Sequence, residues 1–461
     1  MRILIDLQAL QSGSSANRGI GRYSRALIEG MLRNAPRDHF ILLFNGMIGE
    51  DNARLRREFA QKWSNVEFRV WTAASPAGFL APPDLRQAAE AIREAVIADC
   101  APDIVLVTSL FEGLDDDAVT TVGRTPTAVV LYDLIPHIFP DIYQSDPNTK
   151  KWYQTKFEAL KRAELLLAIS ESAAKDGMTH LGLPDGRITN ISSDVDAHFV
   201  PQPVNHETHA SLAHDFGLTR PFLMYTGGID HRKNIPALIS AFASLPKHVI
   251  SDHQLAIVCR ASVSDKAKIM AQARASGLPD GTVVMTGYVS DETLITLYNT
   301  CKSFIFPSWY EGFGLPVLEA MRCGAAVIGA NTSSVPEVIG REDALFDPKS
   351  TSDMARMIEK VLTDEAFNQS LRDFAPVQAA RFSWDETARR ALAALRKFVE
   401  ENSASKPAAT PTEGKPRLAF VSPMPPERSG ISFYSADLLP ALAEHYDIEL
   451  IVNQDSVSET V

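Results

Sequence analysis

The stretch "SFIFPSWYEGFGLPVLEAM", residues 303–321, falls into three consecutive pieces. "SFIF" is a short apolar run of strand length, and "PSWYEGFG" is a loop punctuated by proline and two glycines. Leu315-Pro316 then opens a helix, since proline in a first turn lacks only an N–H that has no intrahelical acceptor anyway. A strand handed through a glycine-rich loop to a helix is the half-unit of a parallel sheet covered by helices. The same alternation runs along the chain: "RILIDL", "FILLFN", "IVLVTS", "AVVLYDL" and "LLLAIS" first, then "FLMYTGG", "LAIVC", "VVMTG", "SFIFPS" and "AAVIGA". Continuous apolar strands between 3.6-periodic segments predict an α/β, doubly wound chain.

The totals agree with that class. At 461 residues the chain exceeds one ordinary core, and 45% hydrophobic with 22% charged residues is globular composition. A net charge of −12 provides no general attraction for nucleic acid, so no nucleic-acid partner is expected. The four cysteines, Cys100, Cys259, Cys301 and Cys323, are scattered, which fits a reduced cytosolic protein better than a disulfide or metal framework. "MRILIDLQALQSGSSANRG" turns polar too early for a signal peptide, and no apolar run approaches the roughly 18 residues that span a bilayer.

Two boundaries divide the chain. Residues 196–221, "DAHFVPQPVNHETHASLAHDFGLTRP", carry prolines and histidines without a strand pattern and read as a hinge between similar open sheets. Ligands of such sheets bind at the carboxyl ends of the strands, so the site is expected in the cleft between the two domains. "ENSASKPAATPTEGKP", residues 401–416, reads as a flexible linker. After it the start of the chain recurs: "GIGRYSRAL" at 19–27 matches "GISFYSADL" at 430–438, each copy lying between two apolar strands. A piece that small cannot bury its own core, so it reads as the start of a longer second module, with docking on the first as the alternative. The expected organisation is a first Rossmann-like domain at 1–200, a second at 215–380, a returning helix at 381–400, the linker at 401–416 and the second module from 417 to 461.

Glu311 and Glu319 flank the glycine turn, one on the loop and one a turn into the helix, so both can face the cleft. Gly312 and Gly314 leave backbone N–H groups free beside a helix entrance, which suits an anionic or hydroxyl-rich ligand. A carboxylate at Glu319 can accept both hydroxyls of a ribose; equally, Glu319 can be a helix-dipole charge and Glu311 a solvated one. In "YTGGIDHRKNIPALISAF", residues 225–242, Arg232 and Lys233 precede a helix capped by Asn234. Two cations there can hold a diphosphate, or can be plain solvated surface. Gly19 and Gly21 in "SANRGIGRYSRAL" leave the backbone approachable, a weak signal alone. "DDD" at 115–117 reads as a solvated cap, and no metal site is expected.

Together these residues resemble the retaining glycosyltransferases of family 4, which have the GT-B fold, two doubly wound Rossmann-like domains facing a cleft. The resemblance covers about 1–400 and rests on "TGGIDHRKN", "GYVSDETLITLYNTC", "FPSWYEGFGLPVLEAMRCGAAVIGANTSSVPEVIG" and "ALFDP". "RGIGRYSRAL" and "YDLIP" look most like bacterial O-antigen mannosyltransferases, among which chains with two catalytic modules occur. The resemblance implies metal-independent transfer of a sugar, mannose from GDP-mannose, to an oligosaccharide or lipid-linked polysaccharide acceptor, with no cofactor beyond the donor. It places the protein in the cytoplasm or at the inner face of the cytoplasmic membrane, with a second module and an assembly complex as partners. It implies that Glu311 lies beside the reacting carbon with the Gly312, Phe313 and Gly314 backbone at the sugar hydroxyls. It also implies Glu319 at the ribose, Arg232 and Lys233 on the diphosphate, and Gly19 and Gly21 approaching that group from the other domain. The resemblance further implies front-face attack, with the leaving phosphate taking the acceptor proton, which would make Glu311 a stabiliser and not a nucleophile.

One departure matters. Relatives often have histidine before the aspartate of "VVLYDLIPHIFP", where this chain has Tyr132-Asp133. Asp133 is a candidate for positioning donor sugar or acceptor, and His137 for replacing the missing imidazole; both also have structural readings, as turn residue and packed ring. "KKWYQTKFEALKR", residues 150–162, could meet an anionic membrane, but reads better as a covering helix with its lysines outside. The alternatives to a transferase are an idle nucleotide-sugar-binding module organising an assembly complex, a GT-B epimerase, or a phosphorylase.

Overall fold

A computed structural model describes residues 1–49, 52–403, 415–454 and 456–458. The chain forms two compact units, Met1–Val399 and Glu400–Val461.

The first unit holds two parallel sheets. One is built from β1 (Arg2–Asp6), β2 (His39–Asn45), β3 (Val66–Trp71), β4 (Ile104–Val107), β5 (Thr127–Leu131), β6 (Leu165–Ala168) and β7 (Ile188–Asn190), in the order β3-β2-β1-β4-β5-β6-β7. The other is built from β8 (Phe222–Thr226), β9 (Gln254–Val258), β10 (Val283–Met285), β11 (Ser303–Phe306), β12 (Val327–Ala330) and β13 (Leu345–Phe346), in the order β10-β9-β8-β11-β12-β13. The two share one winding: the chain builds outward to one edge, then returns to the centre and builds to the other, as in dinucleotide-binding folds. The doubly wound α/β class expected from the strand pattern is the class observed. Its cause is visible in burial: β4, β5, β6, β8, β9, β11 and β12 are buried at every position, while the edge strand β3 is largely not.

Residues 196–221 hold no strand, but they are not all hinge: His206–Phe216 is a helix, opened by an Asn205–Thr208 capping box and closed by Gly217 in the left-handed conformation. The long helix Trp384–Ser403 lies on the first domain. Gly30 makes room for it, since a Cβ there would stand 3.0 Å from both Ala388 Cβ and the Trp384 carbonyl. Asp385 accepts from Arg33 and Asn34, and Asp38 from Arg396. The stretch read as a linker at 401–416 lies outside the described residues from 404 to 414, and 401–403 still belong to this helix.

Two local readings are corrected. The lysines of the helix Pro147–Arg162 are not all outside: Lys156 is buried, its Nζ donating to the carbonyl and hydroxyl of Thr120. Its aliphatic stem buries readily and Thr120 satisfies the head. "DDD" is not a solvated cap, because Asp117 accepts from Ser75 and from the Ala77 and Gly78 amides, and Asp116 accepts from Ser12, bracing neighbouring loops.

In the second unit β14 (Arg417–Val421) and β15 (Asp447–Ile451) pair in parallel around the helix Gly430–Ala443, repeating the arrangement of β1, the helix Gly19–Asn34 and β2. Burial separates the copies: Tyr23 is 3% exposed and its counterpart Tyr434 is 68% exposed. Among the described residues no helix is long and apolar enough to cross a membrane.

Candidate active site

In the second sheet the winding direction reverses between β8 and β11, and the loops leaving those two strands open a crevice at their carboxyl ends. After β8 the chain runs through Gly227, at φ +146, into a single 3-10 turn, His231–Lys233. Asn234 follows in the left-handed conformation at the start of the helix Ile235–Ala243. Its side chain does not cap that helix; it donates to the carbonyls of Pro307 and Pro348, tying this loop to the one after β11. That second loop ends at Gly314, at φ +99, a conformation that favours glycine, and the helix Leu315–Arg322 begins with proline in its first turn.

The two loops meet through charge. Lys233 Nζ lies 2.6 Å from Glu311 Oε1, and Arg232 Nη1 lies 2.7 Å from Glu311 Oε2. Glu311 is buried, which alone would raise its pKa; Lys233 and Arg232 outweigh that and hold it below the ordinary carboxylate value. The Glu311 amide donates to Ser333 Oγ and its carbonyl accepts from Ser334. Arg232 Nη1 also donates to the Tyr310 carbonyl, while its buried Nε makes no hydrogen bond, standing 3.4 Å from Asp230 Oδ1. A buried guanidinium N–H without an acceptor is costly unless something anionic completes it.

The first domain closes over this crevice at the end of β5. A Cβ on Gly312 would stand 2.5 Å from the Tyr132 carbonyl, so only glycine permits the approach, and the Gly312 carbonyl accepts from Ser170 Oγ at 2.6 Å. A cavity of about 240 Å³ remains between Gly19, Tyr132, Asp133, Glu311, Phe313 and Leu315. Asp133 has its carboxyl raised above the usual range by burial, opposed by the Ile135 amide and Arg232 and assisted by Glu311. Tyr132 turns its hydroxyl away, toward Ser24 and the Ile20 carbonyl, and its ring packs edge-on against Tyr23.

Glu319 borders a narrower recess shared with Gly19, Arg22 and Trp384. It is buried, accepts from Tyr298 at 2.9 Å, and burial pushes its pKa up to about 7.

The structure therefore brings together Glu311, Arg232, Lys233, Asp133, Gly312, Phe313, Gly314 and Gly19, with Glu319 next door. Gly21 is elsewhere engaged: its amide donates to the Ser15 carbonyl, and a Cβ there would meet the Ala16 carbonyl at 2.3 Å, so it serves its own turn. His137 stacks on Phe157 at 4.3 Å with His180 edge-on, and does not line the cavity. Ser170, Ser333, Ser334 and Asp230 also hold the site; Asp230, Ser333 and Ser334 lie within the motif stretches without being singled out there, and Ser170 lies outside them. A larger cavity of about 510 Å³ lies by Phe222 and Lys302, at the amino ends of β8 and β11, the end of such a sheet that does not take ligands.

Comparison with known proteins bears on this geometry. Residues 211–378 match the family described as glycosyl transferases group 1. The serotype-specific mannosyltransferase WbdA of Escherichia coli is 37% identical over 87% of this chain and 49% of its own length. The O-antigen chain mannosyltransferase B of Escherichia coli is 28% identical over 54% of this chain and 65% of its own. The chain thus spans about half the length of WbdA. Among solved structures, sucrose-phosphate synthase of Thermosynechococcus elongatus superposes with a TM-score of 0.61 at 19% identity, covering 87% of this chain and all of that one. Anabaena HepE in complex with UDP and glucose gives 0.60 at 18% identity, over 88% of this chain and 100% of that one. The fold is GT-B.

Proposed function

This chain carries a group 1 glycosyl transferase domain at residues 211–378, and we propose that it moves mannose from GDP-mannose, with retention and without a metal, onto a growing O-antigen polysaccharide. The observation that carries the reading is the Arg232–Glu311–Lys233 cluster, in which two cations and a carboxylate meet at the carboxyl ends of the strands flanking the sheet's reversal point. The choice of sugar and acceptor is supported by the names of the relatives, WbdA above all.

The chemistry follows from the charges. The bond between the anomeric carbon and the diphosphate oxygen breaks, its electron pair leaving on the diphosphate, where Arg232 and Lys233 neutralise it. The acceptor hydroxyl oxygen bonds the anomeric carbon from the same face, and its proton passes to the departing phosphate oxygen. Glu311, kept ionised by its two partners, stabilises the positive charge that develops on the sugar ring. Arg232 Nε, the donor left without an acceptor, would find one on the diphosphate. Glu319 holds the ribose hydroxyls, and Asp133 positions a sugar hydroxyl from the facing domain. The donor is a cytoplasmic metabolite in this reading, which sets the enzyme in the cytoplasm or on the inner face of its membrane. The Glu400–Val461 unit is then the opening of a second module of the same kind, supported by its repetition of the first strand, helix and strand.

Thermal unfolding with GDP-, UDP-, ADP- and dTDP-sugars in chelator tests it, because a ligand of the folded state must raise the melting temperature. A selective rise with GDP-mannose, followed by mannose transfer to an O-antigen oligosaccharide, is expected. A rise with another nucleotide alone discards the donor, and no rise with any discards the transferase.

A further inference from the structure

Two hydrogen bonds cross the crevice in opposite senses, each ending beside a member of the ion cluster. Tyr143, at the end of the short helix Pro140–Tyr143 in the first domain, donates to Asp230 Oδ1 at 2.7 Å, two residues before Arg232. Tyr310, immediately before Glu311, donates to Asp176 Oδ1 at 2.6 Å, on the first-domain helix Glu171–Leu181. Burial, and then the neighbouring Asp230 carboxylate, push the Tyr143 hydroxyl up to about 12, so it keeps its proton and is the donor of its pair.

Tyr143 and Arg232 meet at the same oxygen, Asp230 Oδ1. Arg232 Nε stands 3.4 Å from Asp230 Oδ1 and forms no hydrogen bond there. The other end of the guanidinium, Nη1, is bonded to Glu311 and to the Tyr310 carbonyl. The two loops are also stitched to each other, the Trp309 amide donating to the Arg232 carbonyl at 2.8 Å. Phe139 sets its ring edge-on to Tyr310 at 5.8 Å, adding an apolar contact across the same gap.

We infer that Tyr143 and Asp176 are positioning residues: through Asp230 and Tyr310 they fix the loops bearing Arg232 and Glu311, so the ion cluster takes its working geometry only when the first domain is in contact. Neither residue touches the cavity, and the effect on transfer rests on the function proposed above. The effect on the loops does not.

Hydrogen exchange on the free full chain tests the geometry, reading the amides of Lys233, Asn234 and Trp309, bonded within or between these loops, and of Glu311, bonded to Ser333 Oγ. Phenylalanine keeps the ring of Tyr143, so a role confined to packing predicts no change. In Tyr143→Phe and in Asp176→Ala, exchange of these amides should rise about tenfold while the sheet amides hold their rates. Transfer should fall about 5–50-fold in kcat, with the donor KM within about twofold of wild type. Tyr143→Phe combined with Asp230→Ala should be no worse than the worse single variant, because the two act as one pair. Unchanged exchange in both variants, or kcat within about twofold of wild type in both, overturns the inference. A wild type that transfers no sugar overturns the proposed function instead, and the exchange result still decides whether the two pairs hold the loops.

Discussion

Replacing Glu319 with glutamine should stabilise the folded chain at neutral and alkaline pH and leave it nearly unchanged in acid. Glu319 is 8% exposed, and burial raises its pKa from 4.5 to about 7, against the pull of the Tyr298 hydrogen bond and Arg22. A carboxyl whose pKa is raised on folding prefers to fold protonated. The wild type therefore has its full stability below about pH 4.5, loses it progressively as pH climbs toward about 7, and has lost it all above that. The whole difference is about 3 kcal/mol, at 1.36 kcal/mol per pH unit between the two values. Glutamine has the shape of the protonated acid and an oxygen for Tyr298 to donate to, yet cannot ionise. Its advantage should be about 1 kcal/mol near pH 5 and about 3 kcal/mol near pH 8, visible as a pH-dependent gap between urea unfolding curves. The second arm is binding. If Glu319 meets a ribose, its hydroxyls favour the ionised form, so nucleotide binding near pH 6.5 should release a proton in wild type and none in Glu319→Gln, measured by calorimetry in two buffers. A variant equally stabilised at both pH values, or destabilised at the higher one, would refute the reasoning.

Glu311→Gln removes the charge that Arg232 and Lys233 share; transfer should drop at least about 100-fold, and unfolding should be easier by about 3 kcal/mol because the buried Lys233 and half-buried Arg232 lose their partner. Gly312→Ala should cost about 100-fold in kcat, since its Cβ would stand 2.5 Å from the Tyr132 carbonyl and force the loop off the first domain. Gly19→Ala, with nothing within 4 Å of its Cβ, should fold and melt like wild type. Lys156, lowered by burial to about 8, penalises the folded state below that pH; the wild type should gain stability as pH rises from about 8 toward 10.5, and Lys156→Met should flatten that gain in denaturant titrations.

What the sequence disclosed and what it hid follow from range. Parallel strands are buried on both faces, so "SFIF" and its counterparts announce themselves, and glycines such as Gly227 and Gly314 mark the loops at their carboxyl ends because a positive φ favours them there. Glu311, Arg232 and Lys233 were readable because they sit on such loops, and Glu319 because it lies one turn into the helix that follows. The helix His206–Phe216 was not, since Leu212 is its one buried residue and its histidines leave no apolar stripe. Nor was the burial of Lys156, whose polar partner Thr120 lies 36 residues away. The pairing of Lys233 with Glu311 spans 78 residues and that of Tyr143 with Asp230 spans 87, separations over which no local pattern acts.

The two carboxylates facing the cavity are driven in opposite directions, and this separates their roles in the proposed transfer. Glu311, between Lys233 and Arg232, is held below the ordinary range; Asp133, half-buried just beyond β5 with only the Ile135 amide and Arg232 to favour its charge, is held above it. Two groups pushed apart in this way can take different protonation states at one pH. A diphosphate entering beside Arg232 and Lys233 brings negative charge, which pushes a nearby carboxyl still further toward its neutral form. Glu311 resists because the same cations stay on it, whereas Asp133 yields. The donor-bound site would then keep one fixed negative charge where the sugar becomes positive, and Asp133 would be the carboxyl there that the diphosphate pushes further toward its neutral form.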